Sequence, residues 1–256
     1  MPLRLTPTFR HALAAAPGPL VGMWVCSGSP LVAEICAGSG LDWLLVDMEH
    51  SPNGLESVLA QLQAVAAYPV VPVVRVPVGD AVTLKQVLDL GAQNLLVPMV
   101  SSAKSARAVV EAVRYPPRGR RGVGSALARS ARWNRVDGYL ADADEHVSLV
   151  VQVETVEGVA AAGAIAAVDG VDGVFVGPSD LAAALGHLGN PNHPEVQQAI
   201  GAAFEAVKAV GKAAGILTPV EADARRYLEM GAKFVAVGSD LGLFRNGTQA
   251  LRDKFK

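Results

Sequence analysis

The 256-residue sequence predicts a (β/α)₈ barrel, and three features carry that reading. Eight short apolar runs recur along the chain, each nearly continuous in Val, Leu and Ile, as expected of strands buried on both faces of a parallel sheet. The stretches between them place apolar residues at helical spacing. No Gly/Ser linker, low-complexity tract or block of like charge interrupts the pattern, and the length suits one closed barrel.

Taken in order, the predicted strands are Leu20–Cys26, Trp43–Met48, Val70–Val76, Asn94–Met99, Val147–Val153, Gly173–Val176, Ala213–Leu217 and Phe234–Val237. After the second run, Leu55, Val58, Leu59, Leu62 and Val65 fall on one helical face. Val196, Ile200, Ala203, Val207 and Val210 do the same before the seventh. Asp80 caps a helix that ends before Gly91, and Thr218, Pro219 and Glu221 predict a capping box with proline in the first turn. Eight strand-then-helix units in one uninterrupted chain favour a closed barrel over an open doubly wound sheet, so residues 1–256 are read as a single domain. The interval between the fourth and fifth runs is long and carries Arg114, Arg118, Arg120, Arg121, Arg129, Arg132 and Arg135. It reads either as a solvated or subunit-contact excursion or as a lid whose guanidinium groups grip an anionic substrate.

A formal net charge of -2 with 18% charged residues gives no general attraction to nucleic acid or to an anionic membrane. The N-terminal MPLRLTPTFRHALAAAPG lacks the apolar core of a signal peptide, and nothing approaches the roughly 20 apolar residues of a membrane span. Two cysteines, Cys26 and Cys36, form neither a disulfide framework nor a CxxC pair, which predicts a reducing, cytoplasmic setting.

A barrel of this type builds its site where the strands end. Asp47-Met48-Glu49-His50 follows the second run, Arg75 ends the third, VQVE at the fifth carries Gln152 and Glu154 at alternating positions on one side, and Gly177-Pro178-Ser179-Asp180 follows the sixth. Glu154 and Asp180 are candidate metal ligands, a pair of hard oxygen donors suited to Mg²⁺ or Mn²⁺; the bland alternative is an ion pair, or for Asp180 a cap on a helix starting near Leu181. Arg75 either balances Glu154 or Asp47 or holds an anionic oxygen of a bound substrate. His50 is a candidate general base, since imidazole titrates near neutrality. There is no GxSxG elbow and no GxxxxGK[ST] loop, and the glycines of Gly122–Ala126 do not follow a strand.

The segments LDWLLVDMEHSPN (41–53), PVVRVP (72–77), LLVPMVSSA (95–103), RYPPRGRRGVGSALARSARWNR (114–135), VQVET (151–155), GVDGVFVGPSDLA (170–182) and FVAVGSD (234–240) closely resemble the metal-dependent (class II) pyruvate aldolases. The likeness runs from about residue 20 to 240. It extends to members acting on 4-hydroxy-2-oxoheptanedioate and on 2-dehydro-3-deoxy sugar acids. The resemblance implies a (β/α)₈ barrel assembled as a homohexamer, with the last helix exchanged between subunits. It implies reversible aldol cleavage of a 4-hydroxy-2-oxo acid to pyruvate and an aldehyde such as succinic semialdehyde, with Mg²⁺, Mn²⁺ or Co²⁺ stabilising the pyruvate enolate. It carries the base onto His50, the metal ligands onto Glu154 and Asp180, and the enolate-steadying arginine onto Arg75. Pyruvate contacts fall on Gln152 and on backbone N–H groups around Ser179 and Asp180. The acid that raises the histidine's basicity falls on Asp89, near the end of a predicted helix and so at the opposite end of the barrel, unless a neighbouring subunit supplies it. Met48, where the family usually has glycine, and Thr218-Pro219 after the seventh run both depart from the family pattern and bear on the aldehyde pocket.

None of the seven lysines stands at a strand's C-terminal end, so Schiff-base chemistry is unsupported and enolate charge falls to a metal. Two other readings stay open: a mutase or carboxylase/decarboxylase using the same enolate, and a non-catalytic barrel that binds 2-oxo acids.

Overall fold

The computed structural model describes residues 3–256. Eight strands run β1 (Leu20–Val25), β2 (Trp43–Asp47), β3 (Val71–Arg75), β4 (Asn94–Val97), β5 (Ser148–Val153), β6 (Gly173–Val176), β7 (Ala213–Leu217) and β8 (Phe234–Ser239). Each pairs in parallel with its sequence neighbour, and β8 closes on β1. All eight predicted runs are strands, with ends displaced by a residue or two.

The helices are α1 (Phe9–Ala15), α2 (Pro30–Ala37), α3 (Leu55–Ala64), α4 (Ala81–Asp89), α5 (Ala103–Val113), α6 (Val156–Ala160), α7 (Ala162–Ala166), α8 (Pro178–Ala184), α9 (Pro194–Ala209), α10 (Glu221–Glu229) and α11 (Asp240–Asp253). Asp80 caps α4 as expected, its carboxylate accepting from the N–H groups of Val82 and Thr83. The capping box expected at Thr218 is not formed. The N-cap of α10 is Val220, and the Thr218 hydroxyl accepts from the Val220 N–H in a local turn before the helix. Asp180 is likewise no cap, because Pro178 already opens α8 and Gly177 holds the cap position.

The barrel interior is filled at its lower, N-terminal end by aromatic rings. Trp43 faces Gly22 on β1 and Phe234 faces Gly215 on β7, and a Cβ on either glycine would overlap the ring. Small beside large fills the tapered interior. Helix α1, which the sequence reading missed, stoppers this end: Phe9 packs its ring 5.5 Å from Trp43 and 5.3 Å from Phe234.

The arginine-rich stretch does not form a lid over the strand ends. Arg121 is buried, its Nη2 lies 3.1 Å from Asp89 Oδ1, and its guanidinium stacks 4.6 Å from the Tyr115 ring. Arg129 donates to the Leu90 carbonyl at 3.0 Å, and Arg114 pairs with Asp169 at 2.8 Å. Asp89 and Leu90 end α4, and Asp169 lies just before β6, so all three partners belong to the lower end of the barrel. The lid reading is thereby corrected for this chain. A buried guanidinium needs an anion, and the nearest one lies at the base of α4 rather than at the mouth.

At the other end of the chain, Asp240 ties α11 to the barrel by accepting from the N–H groups of Cys26 and Ser27 at 2.8 and 3.0 Å. The rest of α11 leaves Leu243, Phe244 and Leu251 exposed beside Ile35 of α2. No described helix is long and apolar enough to cross a membrane.

Candidate active site

The strand ends on one side of the mouth converge on Arg75. Its Nε and Nη2 donate to the two oxygens of Asp47 at 2.7 and 2.8 Å, and its Nη1 lies 2.8 Å from Glu49 Oε2. Asp47 is therefore the balancing acid, one of the two partners left open by the sequence. The same carboxylate accepts from the N–H groups of Glu49 and His50 and from the Ser51 hydroxyl, which sets the course of the loop after β2. Burial pushes the Asp47 carboxyl up, but the guanidinium beside it prevails and holds it below the usual range. Arg75 also lies 5.6 Å over the Trp24 ring. Two of its five N–H groups are hydrogen-bonded to Asp47, Nη1 is ion-paired with Glu49, and the rest are free of hydrogen bonds to described residues.

His50 stands on the rim of this loop with its Nε2 4.0 Å from Glu49 Oε2. Burial raises the pKa of Glu49, the Arg75 and His50 charges oppose that, and Asp47 and Asp180 add to it. Sequence reading placed Asp47 and Glu49 at the mouth, offered Asp47 only as a partner for Arg75 and gave Glu49 no task. Their spacing in Asp47-Met48-Glu49-His50 was the available signal. Met48 between them packs partly buried against the core and is not among the residues that line the cavity.

Across the barrel, Glu154 follows β5 and is buried. Its Oε1 accepts from the Met99 N–H at 2.8 Å, and its Oε2 from the Gln152 amide at 2.5 Å. Met99 takes a left-handed backbone, φ 58°, to aim that N–H, a conformation unusual for a methionine and typical of functional positions. Gly177 leaves room for the acid: a Cβ there would lie 2.6 Å from Glu154 Oε2. Burial raises the Glu154 pKa, the Gln152 and Met99 hydrogen bonds oppose this, and Glu49 and Asp180 raise it further. Asp180 sits in the first turn of α8, where the N–H groups of Ser179 and Asp180 precede the first intrahelical bond, Leu181 to Gly177.

His50, Arg75, Gln152, Ser179 and Asp180 all line one cavity of about 560 Å³ at the strand ends. Asp89 does not join them. The predicted helix end is correct, and Asp89 lies at the lower end of the barrel paired with Arg121, so within one chain it is not brought to His50. The cavity extends beyond the convergent groups to Pro191 and Asn192, to Leu217, Thr218, Pro219 and Val220, and to Asp223 and Tyr227 of α10.

Whether the residues suit a divalent cation is tested by the donors themselves. The charges of Asp180 and Glu49 both add to the raised proton affinity of buried Glu154, a surplus of negative charge that a cation relieves. Gln152 Oε1 is buried without a partner among the described residues. Oxygen donors with spare lone pairs and no thiolate suit a hard cation. The residues fit.

A parallel barrel with acids, an arginine and a histidine converging at its strand ends has the layout of an enzyme site for a small anionic substrate. The family model for HpcH/HpaI aldolase/citrate lyase matches residues 20–247, and the chain belongs to that family. It is 56% identical over 258 residues to the hydroxypyruvate/pyruvate aldolase of Deinococcus radiodurans, covering 100% of this chain and 93% of that one. It is 54% identical to the 4-hydroxy-2-oxo-heptane-1,7-dioate aldolase of Klebsiella pneumoniae, covering 96% and 93%. The crystal structure of an HpcH/HpaI aldolase/citrate lyase family protein from Burkholderia cenocepacia superposes with a TM-score of 0.93 at 40% identity, covering 98% of this chain and 100% of that one.

Proposed function

We propose that this enzyme cleaves and forms 4-hydroxy-2-oxo acids through the enolate of pyruvate. The observation that carries this reading is the convergence of Gln152, Arg75, Asp180 and His50 on one cavity beside buried Glu154. Glu154 and Asp180 would hold a divalent cation, Mg²⁺, Mn²⁺ or Co²⁺. When bound, that cation supplies positive charge that acidifies the methyl group of a 2-oxo acid.

The chain's own groups do the rest. The free N–H groups of Ser179 and Asp180 and the Gln152 side chain orient the substrate carboxylate. Arg75, held rigid by Asp47 and Glu49, presents its remaining N–H groups to the oxygen on which enolate charge develops. His50, on the rim, takes the methyl proton in synthesis and returns it in cleavage. Asp89 reaches a histidine only if it comes from another subunit. The uncovered apolar residues of α11 support assembly, as a hexamer with α11 exchanged between neighbours. Two unpaired cysteines suit a cytoplasmic location.

The test is exchange of pyruvate methyl protons with solvent deuterium, followed by NMR. Wild type with Mn²⁺ or Mg²⁺ exchanges; His50→Ala slows exchange on the order of a hundredfold or more, as loss of a positioned base does. Glu154→Gln loses the metal-induced rise in melting temperature. Undiminished exchange in His50→Ala, or full activity after exhaustive chelation, overturns the assignment.

A further inference from the structure

We infer that Asp223, backed by Arg226 and braced by Asn192, makes the acceptor end of the cavity select against aldehydes that carry a distal carboxylate and in favour of neutral, hydroxylated ones. The inference rests on the pyruvate-enolate reading and extends it to the aldehyde.

The cavity is far larger than pyruvate, and its unused half lies between the loop before α9 and the first two turns of α10. Its walls there combine apolar Pro191, Leu217 and Val220 with polar Asn192, Thr218 and Asp223. Among the described residues, Asp223 is the one charged group lining that half. The charged groups on the other side, His50, Arg75 and Asp180, are those already given to pyruvate. Arg75 cannot serve as a second anchor, since Asp47 and Glu49 hold it in place.

A cation does stand near the acceptor end, but behind the wall. Arg226 Nη2 lies 2.9 Å from Asp223 Oδ1 and donates to Gln197 Oε1 at 3.0 Å, and the guanidinium sits 5.2 Å over the Tyr227 ring. Asp223 Oδ2 accepts from the Asn192 amide at 3.1 Å, which fixes the carboxylate from the cavity side. The pair thus presents its negative end inward and its positive end outward. A distal carboxylate would meet Asp223 first, and freeing Arg226 would break all of its contacts. A hydroxyl group has acceptors and donors to meet, in the Asp223 carboxylate, the Thr218 hydroxyl and the Asn192 amide. Discrimination of this kind is repulsion of the wrong ligand as much as attraction of the right one. Thr218-Pro219, the departure noted in the sequence, forms part of the same wall.

The experiment measures kcat/KM for aldol addition of pyruvate to succinic semialdehyde and to glyceraldehyde, in wild type, Asp223→Asn and Arg226→Met. Each enzyme's ratio between the two aldehydes cancels any general loss from misfolding. Removing the charge at 223 raises the succinic semialdehyde-to-glyceraldehyde ratio about tenfold, and stripping its counter-charge with Arg226→Met lowers the ratio. Opposite shifts in the two variants are not expected of residues that merely hold α10 in place. A ratio within twofold of wild type in Asp223→Asn, or shifts of the same sign in both variants, overturns the acceptor assignment. Methyl-proton exchange by the wild-type enzyme separates the failures. If it is absent, the pyruvate reading falls and takes this one with it; if it is present with an unchanged ratio, only the acceptor assignment falls.

Discussion

Replacing Arg75 with methionine leaves Asp47, only 1% exposed, without the two charged hydrogen bonds that pay for its burial. Removing one partner of such a pair costs about 3–5 kcal/mol. For a domain of this size each kcal/mol moves the melting temperature by about 2–4 °C, so the variant melts roughly 6–20 °C lower. The loss depends on pH, and its sign follows from Asp47. In the wild-type protein that carboxyl titrates below its ordinary value, so its ionised form adds stability above the unfolded pKa of about 3.9, and the contribution is lost as pH falls through the folded pKa. In the variant, burial raises the carboxyl against only the Glu49 and Ser51 hydrogen bonds, so the deficit is largest at high pH and shrinks towards pH 5 as Asp47 takes up a proton. Asp47→Asn added to Arg75→Met recovers part of the loss at pH 8. Calorimetric melts of the chelated proteins at both pH values check this. A melting temperature within 2 °C of wild type at pH 8, or a deficit equally large at pH 5, would refute the account.

The same substitution at Arg121 is milder. Asp89, whose side chain is 29% exposed, stays solvated after its partner leaves, and two of the Arg121 nitrogens have no acceptor to lose. Arg121→Met therefore costs about 2 kcal/mol, the loss of one charged hydrogen bond and a cation–π contact being partly offset by removal of two unpaired buried nitrogens, read from the same melts. Gly177→Ala acts on chemistry instead. Gly177 has an ordinary backbone conformation, φ -84°, so alanine strains nothing locally, but its Cβ pushes Glu154 out of position. Steady-state assays should show kcat down on the order of a hundredfold with the melting temperature little changed.

The strands were legible because burial on both faces writes a continuous apolar run into a few consecutive residues. Residues that directly follow those runs inherit a place at the mouth from topology alone, which is why His50, Arg75, Gln152, Glu154, Ser179 and Asp180 were legible as one group. Helix α1 was not legible. It is seven residues long, and what stabilises it is Phe9 entering a ring cluster built from β2 and β8, contacts far away in sequence.

The partners of the charged groups were likewise beyond the reach of pattern. Arg75 had two acids to choose from, Arg121 read either as a surface or subunit-contact residue or as a lid residue, and Asp223 carried no signal at all. An apolar run is a local record of burial, whereas an ion pair depends on distances between elements that only tertiary structure sets. The register of β2 against β3 puts Asp47 beside Arg75, and packing of the later segments sends Arg121 to the base of α4 and turns Asp223 into the wall of the cavity.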